Sequence, residues 1–194
     1  MSIDITCLVA ALHSYLDVDS IADYCPNGLQ VQGRKDIQRI VSGVTASQAL
    51  IDAAIELNAD AILVHHGYFW KNENPCITGM KYKRIKSLLD HDINLLAYHL
   101  PLDMHPEVGN NVQLANLLGL KVTGPLEPSN PRSVGLLGEL EQPLSSTEFA
   151  DLIQDKLQRQ PMLIEALSTV KTVAWCTGAA QGYIEHAIRA GVDA

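Results

Sequence analysis

An α/β fold with a parallel core is the fold class this sequence predicts, and three observations carry the prediction. Short β-branched and aliphatic runs at residues 39–45, 61–64 and 93–98 alternate with segments whose apolar residues recur at helical spacing. The second and third runs have the character of strands buried on both faces, as parallel strands are. Both end in polar residues able to ligate a metal, and in open α/β sheets ligands collect at the carboxyl ends of the strands.

The elements follow in order. Leu8, Leu12 and Leu16 at four-residue spacing predict a first helix over residues 5–16 with one buried face. The stretch Asp23-Tyr24-Cys25-Pro26-Asn27-Gly28-Leu29-Gln30-Val31 reads as a turn, because Asn27-Gly28 after Pro26 is good turn chemistry. A strand at 39–45, a helix at 47–58 with Leu50, Ala53, Ala54 and Leu57 on one stripe, and the strand from Ala61 form a β-α-β unit. A helix at 79–91 and a strand ending at Tyr98 add a second right-handed crossover, giving three parallel strands. Lys81, Lys83, Arg84 and Lys86 lie together in that helix and read as a solvated face. A loop over 104–111 enters a helix that Gly119 is placed to stop. The turn-rich Gly124-Pro125-Leu126-Glu127-Pro128-Ser129-Asn130-Pro131 then marks a boundary, dividing the chain into lobes 1–124 and 125–194. The second lobe opens with a strand at 133–140, followed by a capping box, Ser145-Ser146-Thr147-Glu148, and a helix with Phe149, Leu152, Ile153 and Leu157 on its stripe. A strand at 172–176 leads through Thr177-Gly178-Ala179-Ala180-Gln181-Gly182 to a helix ending at Gly191. Small residues would let that turn cradle an anion, but it has neither a Walker lysine nor a full G-x-G-x-x-G, so a plain tight turn is the reading.

Composition bounds the function. The chain of 194 residues has 22 acidic and 14 basic side chains, a formal charge of -8, which argues against a broad electrostatic footprint for nucleic acid. Cys7, Cys25, Cys76 and Cys176 form no Cys-x-x-Cys pair and read as reduced thiols. With no basic segment leading into an apolar core and no apolar run long enough for a bilayer, a cytoplasmic protein is expected.

The chemistry concentrates in Val64-His65-His66-Gly67 and Tyr98-His99-Leu100-Pro101-Leu102-Asp103. A single histidine after a strand is more often a satisfied core residue, and Asp103 alone could cap a helix. Two adjacent histidines, a third histidine and an acid, all following strand-like runs, favour a metal site. Neighbouring side chains alternate along a strand, so the strand should end near the pair, with Gly67 giving the backbone freedom to turn there. Imidazole suits zinc, iron and nickel, and the Asp103 carboxylate could bridge two ions. His105 and Glu107 lie close enough in sequence to be further ligands or partners of ligands, although single loop residues are more often merely exposed.

Taken together with Gly109-Asn110-Asn111, Gly135-Leu136-Leu137-Gly138 and Val173-Ala174-Trp175-Cys176-Thr177-Gly178-Ala179, these motifs closely resemble the Nif-three-like family of GTP cyclohydrolase I type 2 homologues over essentially the whole chain. The resemblance implies two interlinked α/β lobes with mainly parallel sheets flanked by helices, two divalent metal ions, commonly iron or zinc, and a toroidal homohexamer. It matches His65, His66 and Asp103 to metal ligands and makes His99 a residue that lines the pocket or supports a ligand. The family's remaining ligands, a His and a Glu, would follow Ala194, where Val192-Asp193-Ala194 is expected to begin a further strand.

The function expected on this basis is metal-dependent hydrolysis of a nucleotide-like substrate through a metal-activated water, with His99 or Glu107 moving protons. The rival expectation is a ring-forming scaffold or regulatory protein with a structural metal. Nucleic-acid binding through a basic lining is a third, weakened by the acidic balance.

Overall fold

Side chains that alternate in direction along two central strands, and are mostly buried on both faces, organise the first half of the molecule. The computed structural model describes residues 2–130 and 132–194; Met1, and Pro131 of the expected boundary, lie outside them. Two compact units divide the chain, Met1–Leu102 and Asp103–Ala194.

The first unit runs β1 (Ile3–Asp4), α1 (Ile5–Tyr15), β2 (Gly28–Val31), β3 (Asp36–Ile37), β4 (Ile40–Thr45), α2 (Gln48–Glu56), β5 (Ala61–His66), α3 (Gly79–Asp90) and β6 (Asn94–Ala97), then begins α4 (Leu100–Asp103). Its main sheet has the order β2-β6-β5-β4, with β4, β5 and β6 parallel and β2 antiparallel at one edge. Ile62, Val64, Leu95 and Ala97 pack with Ile51 and Ala54 of α2 and Ile85 and Leu88 of α3. The alternate residues Ala61 and Leu96, with Tyr98 beyond β6, pack with Ile5, Leu8, Val9 and Leu12 of α1. Period-two alternation therefore feeds two helical layers from one sheet, which is why β6 is buried along its whole length.

Helices α1 and α2 start where the sequence offers caps. Asp4 accepts the Thr6 amide at 2.8 Å, and Ser47 accepts the Leu50 amide at 3.2 Å. The reading of residues 23–31 as turn alone is corrected at its end: Asn27-Gly28 enters β2, with Gly28 at φ +106°, a conformation that suits glycine. The basic cluster of α3 is also not uniformly solvated. Lys83 and Lys86 are exposed, whereas Lys81, with an 11 % exposed side chain, pairs with Glu73 at 2.9 Å and lies 5.5 Å from the Phe69 ring centroid.

The second unit completes α4 and continues α5 (Asn110–Leu118), β7 (Leu120–Pro125), β8 (Leu136–Ser145), α6 (Ser146–Leu157), β9 (Thr169–Trp175) and α7 (Ile184–Ala190). Its sheet, β7-β8-β9, is antiparallel throughout, so the expected parallel pairing is confined to the first unit. Gly124 and Pro125 do not lie in a linker: they pair with Leu137 and Leu136. β7 is an edge strand, where proline's missing N–H disturbs little. Leu118, Leu120, Leu140, Phe149, Val170 and Val173 form a separate apolar cluster. Residues 192–194, expected to begin a strand, lie outside the strands, although the Ala194 amide donates to Thr172 O at 3.2 Å and its carbonyl accepts the Ala174 amide at 2.8 Å. Among the described residues no helix is long and apolar enough to cross a membrane.

Candidate metal centre

Pairing between β5 and β6 stops at Val64–Ala97, while β4 still pairs with His66 through Thr45. His65 and His66 are thus the last two residues of a strand held on one side only, and strict alternation of their side chains is relaxed. Their ring centroids lie 4.4 Å apart at 42°. The role expected of Gly67 is corrected: its backbone is not left-handed, and the positive φ falls on Phe69, at 67°. What glycine supplies is space, because a Cβ would stand 2.2 Å from Gln30 Oε1 and 2.7 Å from Ala97 Cβ. Gln30 uses that approach to accept the Tyr68 amide at 2.7 Å, tying the chain after β5 to β2.

His99 follows β6 and joins the pair, with its ring centroid 5.0 Å from that of His65 and 5.7 Å from that of His66. One ring nitrogen from each of His65, His66 and His99 lies within 4.8 Å of the other two. Zinc–nitrogen bonds of about 2.0–2.1 Å place tetrahedral donors about 3.4 Å apart, so the trio would have to draw closer to share one ion. His65 is oriented for this. Its Nδ1 is 3.0 Å from the Tyr98 carbonyl oxygen, which only accepts, so in the neutral ring Nδ1 carries the proton and Nε2 the lone pair. His66 Nδ1 is 3.4 Å from Thr45 Oγ1. Three convergent imidazoles therefore suit a borderline divalent ion.

A second group, Asp23, Cys25 and His99, meets the same distance criterion, but its chemistry is less apt. Burial works to raise the Asp23 pKa, yet hydrogen bonds from the His99 ring, the Asn27 side chain and the amides of Leu100 and Tyr24 outweigh it and hold the carboxyl at about 2. Those bonds occupy both oxygens. Burial, with the Asp23 charge, pushes the Cys25 thiol up to about 12, and the protonated thiol is a poor ligand.

The remaining predicted residues belong to the second unit. Asp103 is buried and accepts from Asn110 Nδ2 at 2.7 Å, and its charge adds to burial in pushing Cys176 up to about 11. His105 Nδ1 accepts the amides of Glu107 and Val108, each at 3.2 Å, as a turn cap would. Glu107 is exposed. His65, His66 and His99 form one group of three side chains that could share an ion. Sequence reasoning assigned no role to Asp23, whose ring partner lies 76 positions away, or to Trp70, which sits edge-on to His99 at 4.9 Å and 86°. Nothing in local spacing signals either.

The sequence model of Duf34/NIF3 (NGG1p interacting factor 3) matches residues 3–194. The chain belongs to the Duf34/NIF3 family. A relative from Pseudomonas aeruginosa, named GTP cyclohydrolase 1 type 2 homolog, is 62% identical over 194 residues, spanning 100% of this chain and 77% of its own length. The Escherichia coli K12 protein of the same name is 52% identical over 185 residues, 94% of this chain and 73% of its own. Among solved Duf34/NIF3-like structures, one titled protein ybgI, of unknown function, superposes with a TM-score of 0.93 at 50% identity, covering 98% of this chain and 76% of that one. A protein from Thermus thermophilus gives 0.81 at 33% identity, covering 94% and 74%. The family read from the motifs is the family found.

Proposed function

We propose that this Duf34/NIF3 protein holds divalent metal, iron or zinc, at His65, His66 and His99 and uses it for hydrolysis. The convergence of three ring nitrogens within 4.8 Å is the observation that carries the reading. An ion bound there supplies a Lewis acid and lowers the pKa of water, for zinc from about 15.7 to about 7. The chain's own residues hold and orient. The Tyr98 carbonyl fixes the His65 tautomer, and Trp70 packs on His99 and limits the ring's rotation. Glu107, exposed, suits the exchange of protons with solvent. A second ion, with the Asp103 carboxylate as its ligand, is supported by the sequence motif. A nucleotide-like substrate is suggested by the relatives' name, and a cytoplasmic toroidal homohexamer by the family resemblance.

Elemental analysis of protein purified without added metal tests the reading. At least one transition-metal ion per protomer, lost in His65→Ala and His66→Ala, is expected; metal-free wild type would overturn it. Loss of a phosphatase or cyclohydrolase activity in His66→Ala and Asp103→Ala, with the particle mass by light scattering unchanged, supports the enzyme. Loss of assembly without any activity to lose would favour a scaffold with a structural metal.

A further inference from the structure

We propose that Tyr24 and Trp70 form an aromatic seat for the planar heterocycle of the substrate, which they take by stacking beside the His65–His66 pair. The inference rests on the hydrolase reading above and names the part of the substrate that these rings recognise. All the residues concerned lie in the first unit. Both rings gather on His99: its centroid is 6.5 Å from that of Tyr24 at 59° and 4.9 Å from that of Trp70 at 86°. Trp70 also lies 5.8 Å from the ring of His66. Tyr24 is 61 % exposed, yet its backbone is pinned on both sides. Its amide donates to Asp23 Oδ1 at 2.5 Å, and its carbonyl accepts the Lys71 amide at 2.6 Å, which ties the Tyr24 turn to the residue after Trp70. Trp70 is held at a cost. Phe69 and Asn72, on either side of it, have φ of 67° and 70°, a region that a bulky side chain enters only when its surroundings impose it. Phe69 packs against the buried apolar cluster of the first unit. The Trp70 amide donates to Glu73 Oε2 at 3.1 Å and its carbonyl accepts the Glu73 amide at 3.0 Å, while Glu73 pairs with Lys81 at 2.9 Å. Two rings on tied backbones, with few torsions left to order, suit the stacking of a flat ligand. The carboxylates of these turns, Asp23 and Glu73, are both engaged, so the chemistry that fits is a neutral aromatic ring rather than a cation.

Calorimetric titration of the purified protein with guanosine monophosphate, and with ribose 5-phosphate, which lacks the base, reads this directly. Wild type should bind the nucleotide about 5- to 150-fold more tightly, the range expected for one base stacked on an aromatic side chain. Equal affinity for the two probes, or no binding of either, would overturn the proposal without any variant. Tyr24→Ala, at an exposed ring, should lose affinity for the nucleotide within the same range and leave that for ribose 5-phosphate unchanged. Tyr24→Phe keeps the aromatic face and should restore the preference, which separates stacking from a hydrogen bond to the hydroxyl. Nucleotide affinity indifferent to Tyr24→Ala would place the base elsewhere and sink the seat. Metal analysis of the same samples keeps the two readings apart. Wild type that holds metal and shows no preference for the nucleotide would sink the seat alone. Metal-free wild type would sink the metal reading, while the nucleotide preference and its dependence on Tyr24 would still decide the seat.

Discussion

Asp60 shows at residue scale how one carboxylate can close an end of the first sheet. Its Oδ2 accepts the amides of Gln38 and Arg39 at 2.8 and 2.9 Å, and Oδ1 meets Arg34 Nη1 at 2.9 Å. Burial alone would raise its pKa, but the two amides and Arg34 outweigh it and hold the carboxyl below the usual 3.8. A depressed folded-state pKa means that the stabilisation is complete above 3.8 and is lost as the pH falls through the lower folded value. Urea unfolding of Asp60→Asn should therefore show a flatter acid limb below that pH than wild type; an unchanged limb would assign the acid sensitivity elsewhere. At neutral pH, Asp60→Ala should cost about 2 kcal/mol through the amides left unpaired. Gly67→Ala tests crowding beside the His65–His66 pair. With a Cβ 2.2 Å from Gln30 Oε1, it should lose about 1–3 kcal/mol, and a neutral result in the same assay would mean that the Gln30 bridge yields freely.

At the scale of elements, legibility tracked how local the determining interaction is. The capping box of α6 was readable to the residue: Ser145 and Glu148 exchange side-chain and amide hydrogen bonds within one turn. Ser145→Ala should destabilise by about 1 kcal/mol in thermal or urea unfolding, and a loss near zero would mean that tertiary contacts alone hold the helix start. Strands β4, β5 and β6 were legible because burial on both faces writes itself into aliphatic runs. β2 was not, because Pro26-Asn27-Gly28 has turn chemistry and the partner that makes the next residues a strand is β6, more than sixty positions on. β7 was missed for a related reason, since Pro125 reads as punctuation until its place at a sheet edge is known.

For the whole molecule, the division at Leu102–Asp103 gives each unit its own apolar cluster and its own tryptophan, Trp70 and Trp175. Phe149→Ala removes a buried ring from the second cluster and should cost about 3–5 kcal/mol. In variants keeping a single tryptophan, the unfolding midpoint read by Trp175 should fall more than that read by Trp70; equal shifts would show one cooperative block. By itself the sequence determined the α/β class, the family, the helix starts and the ends of the two strands that carry His65, His66 and His99, because hydrophobic period, caps and contiguous motifs act over a few residues. Only the tertiary structure decided that the second sheet is antiparallel, that the His99 ring stands beside those of His65 and His66, and that Asp23 hydrogen-bonds to it. Those outcomes depend on hydrogen bonds between residues tens of positions apart, whose partners no local pattern names.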